Sequence, residues 1–252
     1  MHQFRDHSTL RPFPPGNLLA LLSDLERLRP KGRAIAAFDA DGTLWNDDMG
    51  EKFFEYLIRH RLVPLPPDAW GHYHHLKDTI SHTVAYLWLA QILKGVNIAQ
   101  VRAWAELAVA ARTPPIFPEI WKILAKLKEL NVEVYIVTAS ITWAVEPGAR
   151  RLGLRENQVI GIETEVVDGI VTDMGKGVIT YREGKAEALL AHTGGVKPYF
   201  CAGNTEGDKW LLEASTDLSL VLSSAPENTE NYPTELKMLE LAGARGWHYH
   251  RY

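Results

Sequence analysis

The chain has 252 residues, 46% hydrophobic and 23% charged, enough to bury a full core as one large domain or one domain with an insert. A formal net charge of -4 with scattered Lys and Arg leaves no basic footprint for nucleic acid, and the longest apolar stretch, "TVAYLWLAQIL" (83–93), is too short to span a bilayer. The single Cys201 excludes an intramolecular disulfide, and the first residues lack the apolar core of a secretory signal, so the expected compartment is the cytoplasm.

Asn17 to Leu28 carries apolar residues at helical spacing behind an Asn cap, and Pro30 and Gly32 stop it. Ala34 to Phe38 then reads as a short buried strand. Residues 48–116 hold only helical patterns: "GEKFFEYLIRHRL", a long stretch from Asp68 to Lys94, and "NIAQVRAWAELAVAAR" from an Asn97 cap, bounded by Pro64, Pro66, Pro67, Pro114 and Pro115. Beyond them come strands at "VEVYIVT" (132–138), "PYFCA" (198–202) and "LSLVLS" (218–223). Helices flank them at roughly Pro118–Leu130, Thr142–Leu152, Gly184–His192 and Gly207–Ala214. The segment "VIGIETEVVDGIVTD" (159–173) alternates and contains Asp168-Gly169, a strong hairpin signal. Alternating strands and helices predict an α/β fold, a doubly wound, Rossmann-like parallel sheet. The expected division is an α/β core from 1–47 and 117–252 and a helical cap from 48–116, inserted over the sheet's C-terminal edge.

Asp39 and Asp41 follow the first strand directly, in "DADGT". A calcium-binding EF-hand fails, because the loop's sixth and twelfth positions would be Leu44 and Gly50 rather than Gly and Glu. Isolated aspartates here would read as turn residues bonding their own backbone. Three further polar sets change that reading. Thr138 ends the second strand, Lys185 opens a helix in "EGKAEALL", and "CAGNTEGD" brings Asn204 and Asp208 after the next strand. A doubly wound sheet collects strand ends at one edge, so the four sets supply oxygen ligands for a cation, a positive charge, a hydroxyl and a spare carboxylate. That is equipment for phosphoryl transfer.

On these residues the sequence resembles the haloacid dehalogenase superfamily, and more narrowly its phosphoserine-phosphatase-like branch, from about residue 34 to 224. Asp39, Asp41, Gly42 and Thr43 match the first motif, Thr138 the second, and Lys185 the third. Gly203 and Asp208 match the fourth, Gly-Asp-x-x-x-Asp, which departs at Asn204. The resemblance implies a phosphatase in which Asp39 attacks phosphorus and Asp41 acts as acid, then base. It further implies Mg²⁺ held by Asp39, the Asp41 carbonyl, Asn204 and Asp208, with Thr138 and Lys185 on the phosphate. The uncharged Asn204 makes the metal site less anionic than the usual pattern and shifts weight to Asp208. Asp41 separates the chain from the family's dehalogenases and transport ATPases, whereas phosphomutases keep this residue.

The family's inserts select the leaving group, and here the insert opens with Asp47, Asp48 and Glu51. Glu51 is the candidate for facing a substrate ammonium, with a solvated helix start the alternative; for Asp47 and Asp48 the solvated start is the plainer explanation. Trp70, Tyr73, Trp88 and Trp104 read as packing of a small bundle rather than an aromatic cage, and His72, His74 and His75 as surface or interface residues. The expected partner is therefore a small-molecule phosphate ester, probed first as phosphoserine-like. Phosphocholine, phosphoethanolamine and a phosphomutase or phosphotransferase are the alternatives; the oligomeric state stays open.

Overall fold

The computed structural model describes residue 4 and residues 6–252. Its seven strands follow the order β4-β3-β2-β1-β5-β6-β7 in one mostly parallel sheet, with a run of helices between β1 and β2. The strands are β1 (Ile35–Phe38), β2 (Glu133–Ile141), β3 (Val159–Val167), β4 (Ile170–Lys176), β5 (Phe200–Gly203), β6 (Leu218–Ser223) and β7 (His248–Arg251). The chain divides into two compact units. The first holds residues up to Asp48, Pro114–Val137 and Arg182–Tyr252, the second Met49–Thr113 and Thr138–Tyr181, so that β2 passes from one into the other.

In the first unit β1 pairs in parallel with β2 and β5, β5 with β6, and β6 with β7. Every residue of β1, β5 and β6 is buried, which is why these strands read as continuous apolar runs rather than alternating ones. Helix α1 (Pro15–Arg27) packs on the helix Pro118–Glu129 that precedes β2. It begins two residues before the expected Asn17 cap, with Pro15 at a first-turn position where a missing N–H costs nothing. The helix Asn231–Arg245 packs on β6 and β7; neither it nor β7 was expected from the sequence.

The second unit carries α2 (Met49–His60), α3 (Ala69–His75), α4 (His82–Gln91), α5 (Ile98–Ala111), the helix Thr142–Arg151, and the β3–β4 hairpin. The hairpin closes on Asp168 and Gly169, both with positive φ (50° and 78°), as the sequence predicted. The long helix expected from Asp68 to Lys94 is broken. A five-residue π turn, Leu76–Ile80, leads to an extended Ser81 whose hydroxyl accepts the Val84 N–H at 3.2 Å and starts α4 afresh. Phe54 is ringed by Trp70, Tyr73 and Trp88 at centroid distances of 4.8, 6.0 and 5.6 Å, so these aromatics pack the unit's own core. Among the described residues no helix is long and apolar enough to cross a membrane.

Candidate active site

The end of β1 is built to present a carboxylate. The Asp39 N–H donates to Ala202 of the neighbouring β5 at 2.9 Å, and the chain then turns tightly, with Leu44 N–H donating to Ala40 at 2.8 Å. Gly42 sits in this turn at φ +79°, and a Cβ there would lie 2.2 Å from the Asn204 amide nitrogen; both facts demand glycine. Thr43 donates its hydroxyl to Asp39 Oδ2 at 3.0 Å, and Trp45 donates its indole N–H to Asp41 Oδ1 at 2.7 Å. Backbone bonds from Asn46 to Pro115 and from Phe117 to Leu44 hold the segment in place.

Lys185, in the first turn of the helix Glu183–Thr193, is buried and reaches two carboxylates, Asp39 at 2.5 Å and Asp208 at 2.6 Å. Burial opposes its charge, but Asp208 first and Asp39 second more than offset that, so its pKa is raised. Asp39 is pushed above the usual carboxylate range by burial, then by the charge of Asp208, with Lys185 pulling the other way. Two carboxylates thus share one ammonium.

Asp208 also holds its own loop. Its Oδ2 accepts the N–H groups of Asn204 and Thr205 at 3.0 and 2.9 Å, and Gly203 lets it approach, since a Cβ at 203 would meet the Asp208 Cβ at 2.5 Å. The Asn204 amide nitrogen donates to Glu235 at 3.0 Å, while its oxygen lies 3.4 Å from the Thr43 hydroxyl. Glu235 is buried on the helix Asn231–Arg245. Its second oxygen accepts from the Ser223 hydroxyl and the Ser224 and Ala225 N–H groups at 2.8, 2.9 and 2.8 Å. Burial raises its pKa, and these four hydrogen bonds work against the rise.

Among the described residues no three His, Cys, Asp or Glu side chains group as a metal site. The donor set is mixed instead, with the Asp39 carboxylate and the Asn204 side-chain oxygen around one Thr43 hydroxyl. These are hard oxygen donors in a buried cluster with two carboxylates to one ammonium, which fits a small divalent cation such as Mg²⁺.

The haloacid dehalogenase-like hydrolase model matches residues 36–213, a span that contains every one of these groups except Glu235 and the 223–225 segment. The chain belongs to this family. Among solved structures, a protein of unknown function from Bordetella pertussis Tohama I is 22% identical, with 87% of this chain and 98% of that one covered at a TM-score of 0.71. A functionally unknown protein from Anaerococcus prevotii DSM 20548 is 15% identical over 92% and 90%, TM-score 0.68. A substrate-bound phosphoserine phosphatase is 16% identical over 84% and 99%, TM-score 0.52. Likeness at these identities is likeness of fold. No curated protein matches the chain.

Of the residues singled out in the sequence of this hydrolase, Asp39, Asp41, Lys185, Asn204 and Asp208 all lie in the first unit; the bonds above join Asp39, Lys185, Asn204 and Asp208, and Asp41 bonds Trp45. Thr138 opens the second segment of the second unit, buried in β2 two positions past Ile136, which pairs with Phe38; its hydroxyl accepts the Ser140 N–H at 3.0 Å. Glu51 is half-buried in the first turn of α2, also in the second unit. Two polar groups escaped the sequence reading. Trp45 is a donor to Asp41, and Glu235 was not considered at all. The signal for Glu235 was indirect, a charge missing at 204.

Proposed function

We propose that this hydrolase is a Mg²⁺-dependent phosphomonoesterase that works through an aspartyl-phosphate on Asp39 and accepts a small, amine-bearing phosphate ester of the phosphoserine type. The observation that carries the reading is the buried Asp39, which has one oxygen on the Lys185 ammonium and the other on the Thr43 hydroxyl. A carboxylate so held is fixed in direction, and direction is most of what an attacking oxygen needs.

In the first step an Asp39 oxygen bonds to phosphorus as the ester P–O bond breaks, and Asp41 gives its proton to the departing alkoxide. In the second, Asp41 takes a proton from water, the water oxygen bonds to phosphorus, and inorganic phosphate leaves with Asp39 restored. Trp45 fixes the orientation of Asp41 for both transfers. Lys185 offsets charge on Asp39 and on the incoming phosphate, and Thr138 is proposed to donate to a phosphate oxygen. Asp39, Asn204 and the Asp41 carbonyl would hold Mg²⁺, with Asp208 at its border, and the cation would offset the repulsion between carboxylate and phosphate dianion. The helices of 48–116 act as the cap, where Glu51 would face the substrate's ammonium. Packing of Trp70 and Trp88 around Phe54 favours a hydrogen-bonding amine over a trimethylated one.

A panel of phosphate monoesters with released phosphate measured, with and without Mg²⁺, tests the reading. Phosphoserine-like esters should lead the panel and chelator should abolish turnover. Full turnover in excess chelator, or no hydrolysis of any monoester, contradicts it.

A further inference from the structure

The family motif has aspartate where this chain has Asn204, and the structure shows a carboxylate nearby in its stead. Glu235, 1% exposed, stands 3.0 Å from the Asn204 amide nitrogen. An ionised carboxylate only accepts hydrogen bonds, and among the described residues four groups that bond Glu235 are donors: the Asn204 NH₂ on Oε1, and the Ser223 hydroxyl with the Ser224 and Ala225 N–H groups on Oε2. Aspartate at 204 would set two carboxylates against each other at this distance. Asparagine at 204 and glutamate at 235 therefore belong together.

We infer that Glu235 is a positioning residue that locks the Asn204 side chain with its NH₂ turned away and its carbonyl oxygen turned toward Thr43 and Asp39, where a cation would be held. This deepens, and rests on, the Mg²⁺-dependent reading above. An unrestrained amide can present either end, and only the oxygen can ligate a metal. Gly42 adds a steric lock, because its missing Cβ is the space that the Asn204 NH₂ fills. The negative charge that the motif usually places on the ligand itself sits one residue further out, on a helix beyond the matched span. Outer partners of this kind typically govern metal affinity by about 10- to 100-fold.

The substitution Glu235→Gln makes the inference testable through hydrogen-bond bookkeeping. Glutamine has one acceptor oxygen, and three donors converge on the Oε2 side, so its oxygen must stay there and its NH₂ must face Asn204. Two NH₂ groups cannot face each other. The Asn204 amide must then turn over and present its nitrogen toward Asp39. In Asn204→Asp/Glu235→Gln the glutamine NH₂ meets a carboxylate, and the ligand oxygen is restored.

Calorimetric titration with Mg²⁺ of the wild-type protein, both single variants and the double variant, with metal-free melting curves as a check of folding, decides the matter. Glu235→Gln should bind Mg²⁺ about tenfold more weakly or worse. Asn204→Asp should also bind more weakly, and the double variant should recover most of the loss. Equal affinity of a folded Glu235→Gln and the wild type overturns the inference. Should Glu235→Gln fail to fold, Asn204→Asp carries the test, and tighter binding than wild type overturns it. A wild type that binds no Mg²⁺ overturns the metal reading itself, a result distinct from either of these.

Discussion

Each unit of the molecule buries an ion pair, and the two are built differently. In the first, Lys185 and both its partners are buried, and two carboxylates compete for one ammonium. In the second, Glu146 of the helix Thr142–Arg151 is 1% exposed, but its partner Arg102 of α5 is 39% exposed and grips it with two bonds, 2.8 and 2.9 Å long. Arg102 also reaches Glu156 at 3.3 Å, and Arg150 joins Glu106 and Glu156, so the pair ends in a solvent-facing network that ties α5 to its neighbour. A buried carboxylate gripped by both arms of a fork-shaped guanidinium that is itself open to water is a fastening. A cluster with more anion than cation, sealed from water, has unmet demand for positive charge and marks the place where chemistry is proposed.

The contrast should break most visibly at Lys185. Lys185→Met removes the ammonium shared by Asp39 and Asp208, and kcat/KM should fall at least about 10²- to 10³-fold, the scale of losing one preorganised charge contact. A melting curve on the same variant separates this from collapse. Arg102→Met should do the opposite, lowering stability by about 2 kcal/mol without a matching loss of kcat; breaking a fully buried pair costs more, and the exposure of Arg102 reduces it. Burial raises the Glu146 pKa above 4.5, with Arg102 the main opposing influence, so the variant should raise it further. A raised carboxyl holds its proton longer in the folded state. Stability is then lost as pH rises above 4.5, and the gap between variant and wild type should narrow in acid. Denaturant melts at pH 4 and 7 check this.

The smallest effect belongs to His250 in β7, whose Nε2 donates to the Arg11 carbonyl at 2.9 Å and whose pKa burial lowers from 6.5. The unfolded chain takes up the proton first as pH falls, so stability should decline below pH 6.5 and be fully present above it. His250→Gln, which keeps an N–H donor, should flatten that slope in melts between pH 7 and 5.5.

The chemical residues of the first unit were legible because each follows an apolar strand or opens a helix, and a parallel sheet brings such positions to one edge. The hairpin was legible because Asp-Gly satisfies two positive φ angles at once. Other features are set by partners far along the chain. Nothing local to Glu235 distinguishes it from any helical glutamate, since its donors lie at 204 and 223–225. The sequence "HYHR" lacks the β-branched run that announces a strand, and β7 exists because β6 offers it an edge to pair with. The break between α3 and α4 turns on one serine hydroxyl inside an unbroken helical pattern.

The central claim is that Asp39, held between Lys185 and Thr43, becomes covalently phosphorylated. Acid quench of the enzyme during turnover of its best phosphomonoester, followed by peptide mass spectrometry, tests it most directly. The account predicts one added phosphoryl group on the peptide containing Asp39, sensitive to hydroxylamine as an acyl phosphate is, and absent together with turnover in Asp39→Asn. A phosphoryl group found on another residue, or turnover that persists in Asp39→Asn within about tenfold of wild type, a barrier change of about 1.4 kcal/mol, would contradict it.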